Sequence, residues 1–291
     1  GDVLRTGGYN ISLGYEALST EDTGNKSIAI GWRALKTQNN NDDNFNVAIG
    51  HAAGQVITTG IRNVIIGGLA GDALTTSEGS VAIGYNSLSS ETTGNYNVAI
   101  GEFALQNQDG ASNNTAVGRE AGRQITTGQQ NTIIGSIAGD ALTVGERNTV
   151  LGYSALSAED TGGHNTAIGY RALSQLNYDG NGYNTTVGSD AGRKVSTGIQ
   201  NTIIGGLAGD ALTTGDNNVA IGYLSLSTED AHGRNVAVGA YALKDQNAGA
   251  QAYNVAVGYQ AGYAVTTGVR NTLIGAAAGD AITTGEFNVA M

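Results

Sequence analysis

A short motif, Asn-x-x-(Ile/Val/Leu)-Gly, returns along the whole chain at a nearly fixed interval, and this recurrence restricts the fold more than any other feature. Twelve of the intervals between consecutive motif glycines are 17 residues long and the other three are 19. A repeat made of two helices needs about twice this length. The sequence therefore predicts an all-β chain, a parallel β-solenoid with about 16–17 coils of 17–19 residues. The motif glycines are Gly14, Gly31, Gly50, Gly67, Gly84, Gly101, Gly118, Gly135, Gly152, Gly169, Gly188, Gly205, Gly222, Gly239, Gly258 and Gly275.

Each repeat has the signals of short strands joined by turns. Runs of β-branched residues lie between Asn and Gly, as in the segment 46–50, and we expect two strands and two turns in every coil. Val47 and Ile49 are two positions apart, so both are expected to enter one core. Gly50 is expected to turn with a positive φ angle. The Asn side chains are expected to bond to backbone at turns and to one another along the stack. These structural positions include Asn46, Gly50, Asn97, Gly101, Asn131, Gly135, Asn201, Gly205, Asn218, Gly222, Asn271 and Gly275.

A second regularity groups the coils in fours. The residue four positions after the motif glycine is Leu in two coils and then Gly in two, and wherever it is Gly an aliphatic residue follows three positions later, as Ile57 follows Gly54. One large apolar side chain per coil predicts a continuous packed core, since both voids and excess volume destabilise. We therefore expect one uninterrupted array over residues 1–291, made of four super-repeats at 10–79, 80–147, 148–217 and 218–287.

Composition limits the classes of function. The chain has 46 Gly, no Pro and no Cys, so disulfides and thiolate metal sites are excluded. A formal net charge of -11 argues against nucleic acid as a partner, because phosphate backbones attract clustered Lys and Arg. No apolar run reaches membrane-spanning length, so we expect no direct membrane insertion.

The chemically reactive residues form no catalytic pattern, so we expect no enzyme and no cofactor. The three histidines, at 51, 164 and 232, occupy different positions in their coils. Carboxylates recur in two places per super-repeat, an Asp in the fourth coil and a Glu in the first, and each lies about 19 Å from its equivalents, too far for paired acid–base catalysis. Turn capping or solvation accounts for them better, with calcium held between chains left open. The recurring carboxylates are Asp72, Asp140, Asp210 and Asp280, and Glu21, Glu91, Glu159 and Glu229.

Two features are candidates for recognition. Length varies in the second coil of each super-repeat, and the loops there are expected to contact a receptor, which would be a cell-surface glycan or protein. A tyrosine also follows the motif glycine of every first coil, in a row that either stacks on sugars or packs against its neighbours. The loop candidates are Asn40, Asp42, Phe45, Tyr178, Tyr183 and Tyr253, and the tyrosine row is Tyr15, Tyr85, Tyr153 and Tyr223.

The motif resembles a known family. The segments 46–50, 97–101 and 218–222 all read Asn-Val-Ala-Ile-Gly, which is similar to the repeat of YadA-like heads of trimeric autotransporter adhesins, and Asn-Thr-Ala-Ile-Gly-Tyr at 165–170 is similar to repeats of bacteriophage tail fibres. The resemblance implies a left-handed β-roll, a side-by-side homotrimer, and an extracellular location on a cell surface or virion. The adhesin repeats are shorter than 17 residues, so a single-chain solenoid stays open.

Two functions follow from these observations. The first is a structural and adhesive one, as the shaft or head segment of a trimeric phage tail fibre or bacterial surface adhesin that attaches to a host cell or surface. The alternative is a monomeric β-solenoid that binds ice or another surface through ladders of paired threonines. Such pairs occur at Thr58-Thr59, Thr75-Thr76, Thr126-Thr127, Thr213-Thr214, Thr266-Thr267 and Thr283-Thr284.

Overall fold

The computed structural model describes residues 4–291, and this part of the chain consists of strands, turns and loops without any helix. The described residues therefore include no helix that could cross a membrane. The chain forms two compact units, residues 1–146 and 147–291. Both are parallel β-solenoids, with about 16 turns in all, which confirms the predicted fold class. The boundary between the units falls beside the predicted super-repeat boundary at 147/148, and the single continuous array over 1–291 stays a prediction.

Every coil contributes one short strand. The first unit contains β1 Ile11–Leu13, β2 Ile28–Ile30, β3 Val47–Ile49, β4 Val64–Ile66, β5 Val81–Ile83, β6 Val98–Ile100, β7 Thr115–Val117 and β8 Thr132–Ile134. The second contains β9 Thr149–Leu151, β10 Thr166–Ile168, β11 Thr185–Val187, β12 Thr202–Ile204, β13 Val219–Ile221, β14 Val236–Val238, β15 Val255–Val257, β16 Thr272–Ile274 and β17 Val289–Ala290.

Within each unit, a strand pairs in parallel with the strand of the next coil and in full register. Ile49 of β3 lies opposite Ile66 of β4, which lies opposite Ile83 of β5. The second unit has the same arrangement, with Ile204 of β12 opposite Ile221 of β13. Like residues are therefore stacked one strand spacing apart, about 4.8 Å.

The prediction for the inner face of the strand was wrong. From β2 to β16 the middle residue of each strand enters the core, and Ala48 is fully buried, whereas Val47 and Ile49 lie on the outer face and are only partly covered. The interior of the coil is thin, which is why the middle residue is usually Ala. It becomes Ile or Leu only in the fourth coil of each super-repeat, at Ile65, Ile133, Ile203 and Leu273.

The prediction of two strands per coil was also wrong. The side opposite the strand consists of turns in which non-glycine residues alternate into the left-handed region, as at Glu16 (φ 54°) and Leu18 (φ 48°). This side is still hydrogen-bonded between coils: the N–H of Arg33 donates to the carbonyl of Tyr15 (2.9 Å), and that of Leu18 to the carbonyl of Ala34 (3.0 Å). The backbone therefore satisfies its polar groups by stacking without adopting strand dihedrals.

The alternation of Leu and Gly matches the space available in the core. A Cβ atom added to Gly54 would lie 2.9 Å from Ile65 Cδ1 and 3.0 Å from Ile57 Cδ1, so the Ile57 side chain occupies the volume that a leucine at position 54 would need. Leu18, Leu35, Ile57 and Leu74 are all fully buried. The same position has φ near +50° in every coil, a conformation that favours glycine, which the sequence pattern alone did not indicate.

Candidate functional site

The Asn of the motif links successive coils through its side chain. Asn63 is fully buried; its Nδ2 donates to the carbonyl of Ser77 (2.8 Å), and its Oδ1 accepts from the N–H of Ser80 in the next coil (2.9 Å). Direct bonds between two Asn side chains are fewer, as from Asn201 to Asn184 (3.2 Å). The side chains thus bond chiefly to the backbone of the next coil. The predicted Asn46, Asn97, Asn131, Asn201, Asn218 and Asn271 are all buried in this ladder.

The two serines that replace Asn are each compensated by a neighbouring side chain. Ser80 Oγ lies 3.0 Å from Ser77 Oγ, and the Ser77 hydroxyl donates to the carbonyl of Gly94 (2.5 Å), the position that a longer Asn amide would reach. Beside Ser27, Gln38 Nε2 donates to the serine hydroxyl (3.0 Å). The replacements keep the buried polar groups bonded, which indicates that the ladder serves the fold.

The motif glycines have two reasons to lack a side chain. Their φ angles lie between 127° and 143°, a region that only glycine adopts readily. Within a unit they also stack on one another: a Cβ atom on Gly205 would lie 2.6 Å from the carbonyl carbon of Gly222. Gly50, Gly101 and Gly222 have equally close neighbours, Gly135 shares the same φ, and Gly275, beside the last strand, is restricted by its φ angle alone.

The recurring glutamates cap loops inside the protein, where they are fully buried. Glu91 accepts hydrogen bonds from the N–H groups of Gly94 (2.5 Å) and Gly110 (2.8 Å) and from Gln108 Nε2 (2.8 Å). Glu21 makes the equivalent bonds to Gly24 (2.7 Å) and to the Gln38 side chain (3.1 Å). Each of these carboxyls ties a turn of the first coil to the loop of the second, which is capping and not solvation.

Burial shifts the protonation of several carboxyls. Desolvation raises the pKa of Glu159 and Glu229 above the ordinary value, and backbone N–H donors only partly offset the effect. Desolvation likewise raises the pKa of Asp72, Asp140 and Asp210. These groups bind protons more tightly in the folded chain than in the unfolded one.

Acidification from pH 7 to pH 5 is expected to stabilise the protein. A carboxyl whose pKa is higher in the folded chain than in the unfolded chain lowers stability when the pH is above its folded pKa. This loss is recovered as the pH falls from the folded pKa toward the ordinary value. Glu16 acts in the opposite direction, but hydrogen bonds from Lys36 and Arg33 lower its pKa to about 2, so its contribution declines only below about pH 4.5. We therefore expect Tm to rise across this range.

Thermal melts followed by circular dichroism across this pH range check the expectation. Glu159→Gln should flatten the dependence of Tm on pH, whereas Glu102→Gln, at an exposed position, should leave it unchanged. A Tm that stays constant or falls between pH 7 and pH 5 would contradict the assignment.

The loop residues predicted from length variation are brought together only in part. Asp42 and Phe45 line a shallow groove of about 490 Å³, together with Ile61 and Arg62, while Asn40 lies outside it. Phe45 is half exposed. The remaining lining residues are Asn25, Asn41 and Asp43. The groove thus offers one aromatic face flanked by charges of both signs.

The other loop candidates lie in the second unit, Tyr178 and Tyr183 in its first super-repeat and Tyr253 in its second. The backbone N–H of Tyr178 donates to Glu159 (3.2 Å), so this residue helps hold the buried glutamate. Tyr183 is half exposed and its ring lies 5.1 Å from that of His164. The hydroxyl of Tyr253 accepts a hydrogen bond from Arg234 (2.6 Å). The three tyrosines do not converge on a single site.

The tyrosine row is larger than the sequence pattern suggested. Tyr153 stacks on Tyr170 of the next coil, with ring centroids 5.7 Å apart and planes 12° apart, and Trp32 stacks on His51 at 4.5 Å. Neither Trp32 nor Tyr170 was predicted to belong to the row, although both directly follow a motif glycine, which was the available signal. The row therefore consists of aromatic clusters that remain partly exposed.

One group of neighbouring side chains that includes a histidine was not predicted from the sequence. Glu229, Asp230 and His232 each offer a ligand atom within 4.8 Å of the others. Glu229 is buried and already accepts from the N–H groups of His232 (3.1 Å) and Ala248 (3.3 Å), and His232 Nδ1 lies 3.4 Å from its carboxylate. These contacts match the capping that Glu21 and Glu91 perform.

The threonine pairs use their first hydroxyl for stacking. Thr58 Oγ1 donates to the carbonyl of Thr75 (3.2 Å), Thr75 Oγ1 to that of Thr92 (2.9 Å), and Thr213 Oγ1 to that of Asp230 (2.7 Å). These hydroxyls of the predicted ladder therefore bond along the stack.

The outer face of the strands carries a row of aliphatic side chains in both units. The last residue of each three-residue strand is Ile, Leu or Val in every case, and its side chain points outward. Ile134 is 38% exposed, Leu151 44% and Ile274 44%, although aliphatic neighbours flank them above or below. This outward row is a continuous aliphatic stripe on the surface of each unit.

Comparison with models of protein families and with curated proteins gives no match to this chain, so the surfaces described above carry the functional argument by themselves.

Proposed function

We propose that this chain is a structural and adhesive segment of a homotrimeric fibre, built as a left-handed β-roll and displayed outside the cell on a bacterial surface or a virion. The observation that carries the proposal is the outward aliphatic row on the strands. A long exposed apolar stripe on a soluble protein is typical of an interaction surface.

The spacing of the row favours a second copy of the chain as its occupant. The aliphatic side chains repeat at one strand spacing, about 4.8 Å, over eight coils in each unit. A partner that covers such a row must present side chains at the same interval, and a copy of this chain does. Three copies arranged around one axis bring three stripes together in a closed assembly.

The rest of the surface agrees with a shaft that holds contacts away from a particle. The ordered glutamates are occupied in capping loops, so we propose no catalytic activity and no cofactor. Loops project at Asp42 and Phe45, beside the open groove, and these are the proposed contacts with a glycan or protein receptor. Repetition of weak contacts along the fibre and among three chains raises avidity without strong individual sites. Because the first hydroxyl bonds along the stack in five of the six Thr pairs, an ice-binding ladder has less support.

Solution mass tests the proposal directly. Sedimentation equilibrium is expected to give three times the chain mass of 29.5 kDa. Ile66→Lys combined with Ile83→Lys should convert the trimer to a folded monomer, because both side chains point outward and the inserted charges would face one another across the interface.

Thr59→Lys is the matched control, since it places the same charge at an exposed turn of the same unit and should leave the trimer intact. A native chain that sediments as a monomer would remove the basis for the fibre proposal, and a trimer that persists in the double variant would place the interface elsewhere.

A further inference from the structure

Each super-repeat contains one cluster of aromatic rings with a cation beside it. The clusters occupy similar parts of their coils, because most of their rings directly follow a motif glycine or lie two residues after it. In the first unit they comprise Trp32, His51 and Arg33, and Tyr85, Phe103 and Arg123. In the second they comprise Tyr153, Tyr170 and Arg171, and Tyr223, Tyr241, Tyr259, Tyr263 and Lys244.

The rings of these clusters are only partly used for packing. Trp32 is 37% exposed, and Tyr85, Tyr153 and Tyr223 are half exposed. The core beneath them is already filled by Ala and Leu, so the rings lie on the surface with an open side. Exposed rings that recur once per super-repeat supply flat apolar platforms with polar edges.

The cation of each cluster is matched by a carboxylate. Arg33 Nε lies 2.7 Å from Glu16, Arg123 lies 3.3 Å from Glu120, and Lys244 lies 3.1 Å from Asp245. In the third cluster Arg171 lies 3.9 Å from Asp190. The platforms therefore have fixed hydrogen-bond donors and acceptors at their edges and little net charge. Hydrogen bonds from Lys36 and Arg33 lower the pKa of Glu16 to about 2, which keeps that pair ionised at neutral pH.

This combination defines the chemistry of a ligand. A flat apolar surface beside paired donors and acceptors fits a pyranose ring, whose C–H face stacks on an aromatic ring while its hydroxyls both donate and accept. A polyanion is disfavoured, because the cations are already paired and the chain has a net charge of -11.

We propose that the four aromatic clusters are binding sites for a neutral polysaccharide. Equivalent clusters within one unit lie four coils apart, about 19 Å, so one extended chain of sugars can contact both in succession. The inference rests on the proposed adhesive function, because a displayed fibre is where weak repeated sites gain strength by multivalency.

Affinity electrophoresis in native gels tests this inference. The gels contain soluble dextran, mannan, galactomannan or β-glucan as neutral probes, and alginate or hyaluronate as acidic ones. At least one neutral polysaccharide is expected to retard the protein, while the acidic ones do not. Tyr153→Ala combined with Tyr170→Ala should weaken the retardation by roughly tenfold in apparent affinity, the size of effect that losing a stacking platform has on flat ligands.

Two further variants separate stacking from folding. Tyr153→Phe with Tyr170→Phe keeps both rings and should retain most of the binding, and circular dichroism checks that every variant is folded. Tyr96→Ala removes an equally exposed tyrosine outside the clusters and should bind like the native chain. Absence of retardation by every neutral probe, retardation by the acidic probes alone, or equal loss in the Tyr96 variant would each overturn the proposal.

The single tryptophan gives an independent measurement. Trp32 is the one Trp in the chain and belongs to the first cluster, so its fluorescence reports on that site alone when tyrosine is not excited. Oligosaccharides cut from a retarding polysaccharide are expected to shift or quench this emission, and an unchanged spectrum at saturation would contradict binding there. Sedimentation of the same samples keeps the two proposals apart: a trimer that binds no sugar refutes only the saccharide sites, and a monomer refutes only the trimeric fibre.

Discussion

Replacing Gly67 with alanine is expected to lower the free energy of unfolding by about 3 kcal/mol or more, the upper part of the range for residues forced into rare backbone conformations. Gly67 has a φ of 138°, and a Cβ atom there would lie 2.5 Å from the carbonyl oxygen of Gly84 and 2.7 Å from its carbonyl carbon. The contact is with backbone, which is held by the ladder on both sides and cannot move aside. Chemical denaturation of the isolated variant measures the loss.

The neighbouring glycine is a matched control. Gly68 has no positive φ, and a Cβ atom there meets only Tyr85 Cδ2 at 3.6 Å, an ordinary contact. Gly68→Ala is therefore expected to change stability by less than about 0.5 kcal/mol. Gly205 and Gly206 provide the same comparison in the second unit. Equal effects at Gly67 and Gly68 would show that the stacking of motif glycines does not limit the fold.

Replacing Asn63 with alanine is expected to cost about 3 kcal/mol, because it leaves two buried groups of the next coil without partners, the carbonyl of Ser77 and the N–H of Ser80. The substitution also opens a small void in a fully buried position. Since coils in a solenoid depend on their neighbours, the loss is expected to appear in the unfolding of the whole first unit. Equilibrium denaturation with amide hydrogen exchange measures both effects.

Asn107→Ala is the control for the ladder, because the Asn107 side chain donates a surface hydrogen bond to Gln124 Oε1 (2.7 Å), while its backbone bond to the carbonyl of Arg123 (3.1 Å) does not depend on the side chain. It should cost no more than about 0.5 kcal/mol. Asn63→Ser tests the compensation seen at Ser80: without a partner hydroxyl such as that of Ser77, serine should recover only part of the loss. A variant at position 63 as stable as the native chain would mean that water replaces the ladder bonds without cost.

The period of the motif was sufficient to predict the fold class. A glycine every 17 or 19 residues allows one circuit of backbone per repeat, and stacking in register then follows because parallel pairing of identical coils places Ile49 beside Ile66 and Ile66 beside Ile83. The positive φ of Gly50 was also readable, because glycine adopts such a conformation more easily than any other residue.

The inner and outer faces of the strand were not readable from the same sequence. Val47 and Ile49 are larger and more apolar than Ala48, so periodicity alone favours burying them. Only the thickness of the closed coil decides otherwise: Leu18 or its equivalents already fill the interior, and a single Ala fits opposite them.

What the sequence by itself determined is the repeat, the stacking of coils and the positions where a side chain is excluded, because these follow from one-dimensional spacing and the conformational freedom of glycine. The tertiary structure decided which side chains face water, since burial depends on volume enclosed by several coils at once. It buried Glu91 under a loop, turned Ile134 outward and placed Tyr153 against Tyr170. The surfaces proposed for assembly and for saccharide binding both consist of side chains that the folded coils leave on the outside.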